Sequence, residues 1–296
     1  MVRAGPGNSY GPGARTENKY ANTLPTLGRG NADPWASHLE LGGIESGNLF
    51  SARKTEREGI LGSVNASSWP PGIPVAEGIG RISGFVNCYT YADGEATYLI
   101  DTGFSAKAAP ILRAFEAAGA PVSRLNRMLL THHHVDHIGG AAFLLDKSKA
   151  PISCHGEDAP YVDGRRKAPM PGFMRLFVRS HPAPVATMLK DGDQIGSLMV
   201  IHTPGHTPGE VVFYHPQRKI LFSGDAVVER SGRLTLPAPR FASNLPQAVQ
   251  SLSRLRSLDV TLLLPGHGVP VSKNFAGLLQ ALIQRAPDEF LRGSPY

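Results

Sequence analysis

Apolar positions are patterned differently in the first 70 residues and in the rest of the chain. Residues 1–34 show neither the two-residue period of a strand nor the 3.6-residue period of a helix, and Gly, Pro, Asn and Ser dominate them. We therefore predict a disordered tail over residues 1–34. Residues 35–70 contain more apolar side chains, and we interpret them as an N-terminal arm that packs on the main domain or on another subunit of a homo-oligomer. Regular patterns begin near Pro71, so residues 71–296 are predicted to form the folded domain.

The folded domain contains both strand and helix patterns. Strands are expected where β-branched and aromatic residues form short runs between turn residues, and helices where apolar residues recur every three to four positions. The predicted strands are Arg81–Tyr91, Ala96–Ile100, Arg127–Leu130, Ile152–Cys154, Ser197–His202, Val211–Tyr214, Ile220–Ser223 and Val260–Leu264. The predicted helices are Ser105–Ala118 with Ser105 as N-cap, Ile138–Leu145, Asn244–Leu255 capped by Ser243 or Asn244, and Lys273–Ile283. Hairpins followed by strand–helix alternation favour an α/β fold, a four-layer αββα sandwich.

Composition and charge exclude several classes of protein. Two Cys in 296 residues rule out a disulfide framework and a Cys-rich zinc module. The net charge of +6 is carried by scattered basic residues, a pattern that makes nucleic-acid binding unlikely but suits a small-molecule substrate that is anionic. No apolar run reaches the length of a membrane span, and the first 20 residues contain no signal-peptide run. We therefore expect a cytoplasmic protein without a membrane segment.

Histidine and aspartate residues cluster directly after predicted strands. Residues 131–137 read Thr-His-His-His-Val-Asp-His, an H-x-H-x-D-H pattern that begins where a predicted strand ends. His206, Asp225 and His267 stand in short glycine-containing loops after three later strands. Because rigid strands can aim such loops at one point, we expect these residues to converge into one site.

The residue types in this set are those that bind divalent metal ions. Neutral imidazole and carboxylate groups are good ligands for zinc and related ions. His132 and His134 are two positions apart and point the same way on an extended segment. Asp136 and His137 are adjacent and can face a different point, so one segment can serve two ions. The candidate ligands, enough for two ions with a position left for water, are His132, His134, Asp136, His137, His206, Asp225 and His267.

The remaining histidines and both cysteines receive no chemical role. A single His or a single Gly-Asp pair in a loop is more often a solvated or capping group than a ligand, so the metal interpretation depends on the whole set. No ligand role is assigned to His38, His133, His155, His181, His202 or His215. Cys88 and Cys154 are expected to be small core residues.

Taken together, these motifs resemble those of the metallo-β-lactamase superfamily. The resemblance covers about residues 75–270 in the family's order, and it includes Leu99-Ile100-Asp101-Thr102-Gly103. It implies an αββα sandwich with a dinuclear site for two divalent ions, with zinc expected and iron or manganese as alternatives. By the family pattern, the first ion is bound by His132, His134 and His206, the second by Asp136, His137 and His267, and Asp225 bridges them. Asp101 is implied to organise the loops without binding a metal, and a simple turn-capping role for it remains open.

The resemblance also implies a metal-dependent hydrolase. Two close ions would activate water as hydroxide for attack on the carbonyl carbon of a thioester, ester or lactone. Asp136 is the expected catalytic residue, which orients the nucleophile and passes a proton to the leaving group. Asp225 favours the glyoxalase II-like and lactonase-like branch, since true β-lactamases generally place Cys or Ser there. Hydrolysis of β-lactams or phosphodiesters and a non-catalytic binding role are the alternatives, and the complete ligand set argues against the last.

One basic stretch is a candidate for substrate contact. Residues 158–190 are predicted to be an insertion rich in Pro, Arg and Lys. Two interpretations stay open: a mobile lid over an acidic or partly apolar substrate, and a solvated basic loop. Tyr161 is a candidate substrate contact within it.

Overall fold

The computed structural model describes residues 70–104, 107–167 and 181–291, with the backbone alone for residues 287–291. The predicted tail, the arm up to residue 69 and the predicted N-cap Ser105 lie outside these ranges. The strands are β1 (Ile73–Ala76), β2 (Ile79–Ile82), β3 (Cys88–Asp93), β4 (Ala96–Ile100), β5 (Arg127–Leu129), β6 (Ile152–His155), β7 (Val185–Leu189), β8 (Gln194–Ile195), β9 (Leu198–His202), β10 (Val211–His215), β11 (Ile220–Gly224), β12 (Val228–Arg230), β13 (Arg233–Thr235) and β14 (Leu262–Pro265). The helices are α1 (Ala109–Ala117), α2 (Val135–Ile138), α3 (Ala141–Ser148), α4 (Ala159–Val162), α5 (Leu245–Arg256) and α6 (Phe275–Leu291).

Hydrogen bonding joins the described strands into two main sheets and a β12–β13 ribbon. The larger sheet has the order β1-β2-β3-β4-β5-β6-β7, and the smaller has the order β14-β11-β10-β9-β8. The strands β1 to β4 pair antiparallel, whereas β4 to β7 pair parallel, as expected where helices connect successive strands. In the smaller sheet, β11 and β14 are parallel neighbours.

Successive side chains of a strand point to opposite faces of its sheet, so each sheet contributes to two different buried clusters. Tyr89, Ile100 and Leu129 of the larger sheet pack in one buried cluster with Val211 and Phe213 of the smaller sheet. This cluster is therefore the layer between the two sheets. The intervening residues of the same strands point the other way, as Met128 does in β5 and Val212 does in β10.

Helices cover both outer faces. Ile111 and Phe115 of α1 and Leu144 of α3 pack with Met128 on the larger sheet. The smaller sheet is covered by α5 and α6, whose side chains that join its outer cluster are Leu252, Leu255, Leu279 and Leu282. The described elements therefore form helix, sheet, sheet and helix layers, which confirms the predicted αββα sandwich.

The predicted bounds of one strand and one helix were wrong, because each is divided in two. The expected strand Arg81–Tyr91 is two strands, β2 and β3, that pair antiparallel with Ile82 opposite Cys88. The expected helix Ile138–Leu145 is interrupted at Gly139 and Gly140, which separate α2 from α3. A Cβ at Gly139 would lie 2.6 Å from the backbone oxygen of Phe104, so the chain approaches too closely for a side chain.

Predicted helix ends also differ from the observed ones. Helix α1 begins at Ala109, and its N-cap is Ala108 with a φ of 47°. Helix α6 begins at Phe275 and extends to Leu291, beyond the predicted end at Ile283. In contrast, one of the two predicted caps of α5, Ser243 or Asn244, is confirmed, since the Asn244 side chain accepts a hydrogen bond from the Gln247 amide at 3.1 Å.

The predicted insertion over residues 158–190 is part of the fold at both ends. Asp158 is completely buried, α4 follows it, and β7 is the edge strand of the larger sheet, paired with β6. Residues 168–180 lie outside the described ranges, so the lid remains a prediction. Within the described ranges, we find no helix with the length and apolar character that a membrane crossing requires.

Candidate metal centre

The carboxyl ends of neighbouring strands bring the candidate ligands together. The His/Asp segment follows β5, whose parallel neighbour β4 leads into Asp101. Asp225 follows β11, and His267 follows its parallel neighbour β14. His206 lies in the loop between β9 and β10. Parallel neighbours end at the same edge of a sheet, so the loops from both sheets converge at one edge of the sandwich.

The first group consists of His132, His134 and His206. One ligand atom from each lies within 4.8 Å of the others. The Nε2 atoms of His132 and His206 face each other at 3.2 Å. His132 and His206 are buried, whereas His134 is partly exposed, so the group opens to solvent on one side.

The second group consists of Asp136, His137 and His267. The Asp136 Oδ2 atom lies 3.2 Å from His267 Nε2 and 3.7 Å from His137 Nε2. His137 is buried, while Asp136 and His267 are partly exposed. A second set of one carboxylate and two imidazoles therefore stands beside the first.

Asp225 lies between the two groups. Its Oδ1 atom is 3.4 Å from His137 Nε2. Its Oδ2 atom is 3.5 Å from His206 Nε2 and 3.6 Å from His267 Nε2. One carboxylate thus contacts a member of the first group and two members of the second.

Burial keeps the first group neutral. Burial and the neighbouring histidines hold the pKa of His132 well below its ordinary value. The same causes lower the pKa of His134 to about 3. Burial also lowers the pKa of His206 to about 4, although Asp225 opposes this effect. At neutral pH these rings carry free lone pairs, which is the form that binds a metal ion.

Carboxylates surround the second group. Burial alone would lower the pKa of His137, but the carboxylates of Asp225, Asp101 and Asp136 raise it well above its ordinary value. Burial would raise the pKa of Asp225, yet the adjacent imidazoles, His137 foremost, hold it below the ordinary range. The centre therefore combines ionised carboxylates with imidazoles in a buried space, where a cation is favourable.

Unpartnered atoms at the centre fit metal ions. Among the described residues, the buried atoms His137 Nε2 and Asp225 Oδ1 have no hydrogen-bond partner. Buried polar groups are normally satisfied, so these two call for a further partner. Two imidazole Nε2 atoms that face each other at 3.2 Å, as in His132 and His206, also fit a shared cation. The donor set of nitrogen and carboxylate oxygen suits zinc and related ions.

Asp101 fixes the orientation of His137. Its Oδ2 atom lies 2.8 Å from His137 Nδ1, and its Oδ1 atom accepts a hydrogen bond from the Thr131 amide at 2.8 Å. The bond to Nδ1 leaves His137 Nε2 directed to the centre, as is usual for ligating histidines. Asp101 adopts a φ of 58°, which makes it one of the non-glycine residues with a left-handed backbone. Because Asp101 contacts Thr131 and His137, which are distant in sequence, its role extends beyond capping its own turn.

Asp158 is a connecting residue that the sequence analysis did not identify. Its carboxylate accepts hydrogen bonds from the His133 amide at 2.9 Å, the Thr207 hydroxyl at 2.7 Å and the Gly209 amide at 2.8 Å. It ties the His/Asp segment to the loop that carries His206. Its position, remote in sequence from every motif, gave no signal of this role.

His133 and Tyr161 pack beside Asp158, where the His/Asp segment and the His206 loop are joined. His133 Nδ1 lies 3.0 Å from Asp158 Oδ2, and the His133 ring stacks on the Tyr161 ring with 4.1 Å between centroids. His133 is buried and stands in none of the ligand groups found among the described residues. The sequence predicts Tyr161 as a candidate substrate contact, and in the structure its ring stacks on His133.

Asn87 holds the loop that carries His267, a role that no sequence motif indicates. Its side-chain amide donates to the Pro265 carbonyl at 3.0 Å and to the Gly268 carbonyl at 2.8 Å. Its backbone amide donates to the Gly266 carbonyl at 2.7 Å. A Cβ at Gly266 would lie 2.7 Å from Asp225 Oδ1, so glycine lets this loop approach the ligands.

An exposed aromatic pair borders the centre. The Phe85 ring is 5.7 Å from the His267 ring and 5.9 Å from the Phe104 ring. Phe85 is 76% exposed and Phe104 is 45% exposed. Two exposed phenylalanines beside a ligand group form an apolar surface next to the reacting position.

Comparison with known proteins places this architecture in a family. The family model described as "Metallo-beta-lactamase superfamily" matches residues 81–267, more than half of the chain. The chain belongs to the metallo-β-lactamase superfamily. It is 31% identical over 189 residues to a Bacillus subtilis protein named "Probable metallo-hydrolase YybB", an alignment that covers 64% of this chain and 83% of that protein.

Two further relatives bear on chemistry. The chain is 28% identical over 202 residues to "Acyl-coenzyme A thioesterase MBLAC2" of Bos taurus, covering 61% of this chain and 72% of that protein. The crystal structure of TTHA1623 in a di-iron-bound form aligns with 30% identity and a TM-score of 0.55, covering 68% of this chain and 95% of that one. This member of the metallo-β-lactamase superfamily is a metal-dependent hydrolase of small-molecule substrates.

Proposed function

We propose that this metallo-hydrolase cleaves acyl thioesters at a dinuclear centre. The observation that carries the proposal is the position of Asp225, whose two carboxylate oxygens contact His137 on one side and His206 and His267 on the other. A Ser or Cys at this position would offer a single ligand atom. The proposed ligands are His132, His134 and His206 for the first ion, Asp136, His137 and His267 for the second, and Asp225 for both.

The choice of thioester rests on three supports. The relative MBLAC2 is named an acyl-coenzyme A thioesterase. The exposed Phe85 ring lies next to His267 and against the exposed Phe104 ring, and the pair offers an apolar surface that an acyl chain would cover. The net charge of +6 suits a thioester whose thiol carrier is anionic.

The protein's own residues would have three tasks in the reaction. When bound, two divalent ions, zinc being preferred by this nitrogen and oxygen donor set, would lower the pKa of water and polarise the substrate carbonyl. Asp136 would orient the attacking water, accept a proton from it and pass that proton to the departing thiolate. Asp136 suits this role because its carboxylate is partly exposed to solvent. Asp101 would keep the His137 ring in place, and Asn87 would do the same for the His267 loop.

A substrate panel tests the proposal. Protein loaded with zinc, iron or manganese is assayed against a long-chain acyl-coenzyme A, a homoserine lactone, a chromogenic β-lactam and a bis-aryl phosphodiester. We expect the highest kcat/KM for the thioester. Replacing Phe85 by Ser should raise KM for a long-chain acyl thioester more than for an acetyl thioester, since only the long chain covers the aromatic pair.

Two results would overturn parts of this proposal. A higher kcat/KM for the lactone, the β-lactam or the phosphodiester would reject the thioester assignment. A fully active protein with a single bound ion per chain would reject the dinuclear centre, whichever substrate is preferred.

A further inference from the structure

A second group of metal-binding side chains lies outside the candidate centre. One ligand atom each from His155, Glu157 and His202 lies within 4.8 Å of the others. His155 is the last residue of β6 in the larger sheet, and His202 is the last residue of β9 in the smaller sheet. Their rings stack with 3.9 Å between centroids and 14° between planes. The group therefore joins the ends of two strands from different sheets.

Each imidazole has a nitrogen available to an ion. His202 Nε2 lies 2.9 Å from the Pro208 carbonyl oxygen, so it carries the proton and leaves Nδ1 with a lone pair. His155 Nδ1 accepts only a long hydrogen bond of 3.3 Å, from the Glu157 amide. Because the rings are nearly parallel, one imidazole must rotate about its Cβ–Cγ bond before both lone pairs can point at the same ion. Rotation about this bond has a broad energy minimum, so the change costs little.

Charge and exposure also favour a cation here. Burial and His202 lower the pKa of His155, so the ring is neutral at physiological pH, while the carboxylates of Glu157, Asp158 and Asp191 act in the opposite direction. Asp191 accepts a hydrogen bond from the His202 amide at 2.8 Å, but its other oxygen is paired with Arg254 at 2.8 Å, so Glu157 is the carboxylate that would face an ion. Glu157 is exposed and both histidines are half-buried, which leaves an entry path for an ion.

We propose that His155, Glu157 and His202 form an accessory site for a divalent transition-metal ion such as Zn²⁺. Two imidazoles and one carboxylate are a ligand set that zinc accepts, with a water in the fourth position. From sequence, neither histidine is assigned a ligand role, so the proposal differs from that expectation. His202 is bonded to Pro208, two residues after His206, so an ion here would fasten the loop that carries His206. The proposal is independent of the substrate of the enzyme.

Metal content tests the accessory site directly. Full-length protein with its candidate centre loaded is dialysed against Zn²⁺, and bound zinc per chain is measured by mass spectrometry. We expect wild type to bind one more ion than His155→Ala, and Glu157→Gln to weaken that ion at least tenfold. His181→Ala is the matched control, because His181 is an exposed histidine outside the group and should bind as many ions as wild type.

A spectroscopic measurement gives a second readout. One equivalent of Cu²⁺, added to protein in which only the candidate centre is loaded with zinc, should show an electron paramagnetic resonance signal with coupling to two imidazole nitrogens in wild type, and this coupling should be lost in His155→Ala. His155→Ala and Glu157→Gln change neither partner of the His202–Pro208 hydrogen bond, and circular dichroism verifies their folding. Equal zinc content in wild type and both folded variants would overturn the site and leave a stacked pair of neutral rings.

Discussion

Asp225 is the residue on which the two groups of candidate ligands depend. Its carboxylate contacts His137, His206 and His267, and it supplies negative charge between two sets of ligands. Two nearby cations repel each other, and a carboxylate between them offsets that repulsion. The residue type at this position therefore decides how well a second ion is held.

Asp225→Ala should bind at least one ion more weakly and lower kcat at least about 10²-fold, because it removes one component of electrostatic stabilisation at the centre. Asp225→Ser keeps a single oxygen ligand and should shift relative activity toward β-lactams. Metal analysis and kcat on purified variants check both outcomes. Asp146→Ala, a change at an exposed aspartate, is the matched control. Near-normal metal content and turnover in Asp225→Ala would contradict the bridging role.

His133 shows why position within a motif is a poor guide to a control variant. It stands inside the His/Asp segment and outside the ligand groups, and a sequence-based design would replace it to test the ligand pattern. The structure places it against Asp158 and Tyr161 in a buried position. Its replacement would leave Asp158 with fewer partners, so it would disturb both ligand-bearing loops.

Acid should destabilise the metal-free protein through the buried histidines. The ordinary pKa of His is 6.5, whereas the pKa is about 4 for His206 and about 3 for His134 in the folded protein. Between pH 6.5 and about 4 the unfolded chain therefore binds more protons than the folded chain, so the free energy of unfolding falls as pH is lowered through this window. His137, with its raised pKa, stays protonated in the folded protein throughout this window, so it opposes the trend only near pH 6.5, where the unfolded ring titrates.

The expected loss is on the order of a few kcal/mol between about pH 6.5 and pH 4. Urea unfolding of chelator-treated protein at several pH values in this range measures it. His206→Gln should flatten the dependence because Gln does not titrate. An unchanged slope in that variant would show that other groups control the acid sensitivity.

At the scale of elements, loops after strands carry the candidate ligands, and other strands hold those loops. The loop after β14 is bonded by Asn87 through three hydrogen bonds and by the Tyr89 hydroxyl at 2.8 Å through a fourth. Asn87 and Tyr89 belong to the turn and strand that follow β2, far from His267 in sequence. The position of His267 therefore depends on the pairing of β2 with β3 as well as on its own loop.

Asn87→Ala should lower affinity for the second ion about 10- to 100-fold, because supporting residues of metal ligands typically have effects of this size. The first ion should be little affected, since the contacts of Asn87 are with the His267 loop. Stepwise titration with a chromophoric chelator separates the two affinities. Tyr89→Phe removes a single bond to Pro265 and should give a smaller loss. Equal loss of both ions in Asn87→Ala would indicate general unfolding and not loss of loop support.

At the scale of the whole molecule, the candidate chemistry lies far from the N-terminus in sequence. The candidate ligands all lie between His132 and His267, and the matching family model spans residues 81–267. Residues 1–34 contain none of the ligands and little apolar surface to bury. Their contribution to chemistry is therefore expected to be small.

A chain that starts at Asp33 should keep the metal content and the kcat of the full chain. Elemental analysis and kinetics of the two proteins, compared at equal concentration, check this prediction. If turnover falls steeply while metal content is kept, the tail contributes to the site, and a dependence on protein concentration would indicate a contribution across a dimer.

The sequence by itself determined the fold class and the candidate ligand set. The spacing of apolar side chains along a strand or helix is a local signal, so it can be recognised in the sequence. The residue types that follow each strand indicate metal binding even when the distances between them are unknown. The same local signals predicted β4, β10 and the Asn244 cap of α5. They failed at Arg81–Tyr91, because a break between two paired strands is stabilised by contacts with the distant Pro265–Gly268 loop.

Only the tertiary structure decided which residues support the centre and which histidines meet. Asp158 is 22 residues beyond Asp136 in sequence, yet it bonds both His133 and Thr207. His155 and His202 come from different sheets and stack only because the two sheets end at the same edge. A local pattern reports what a segment can form by itself, whereas these contacts arise from the packing of segments that are far apart in the chain.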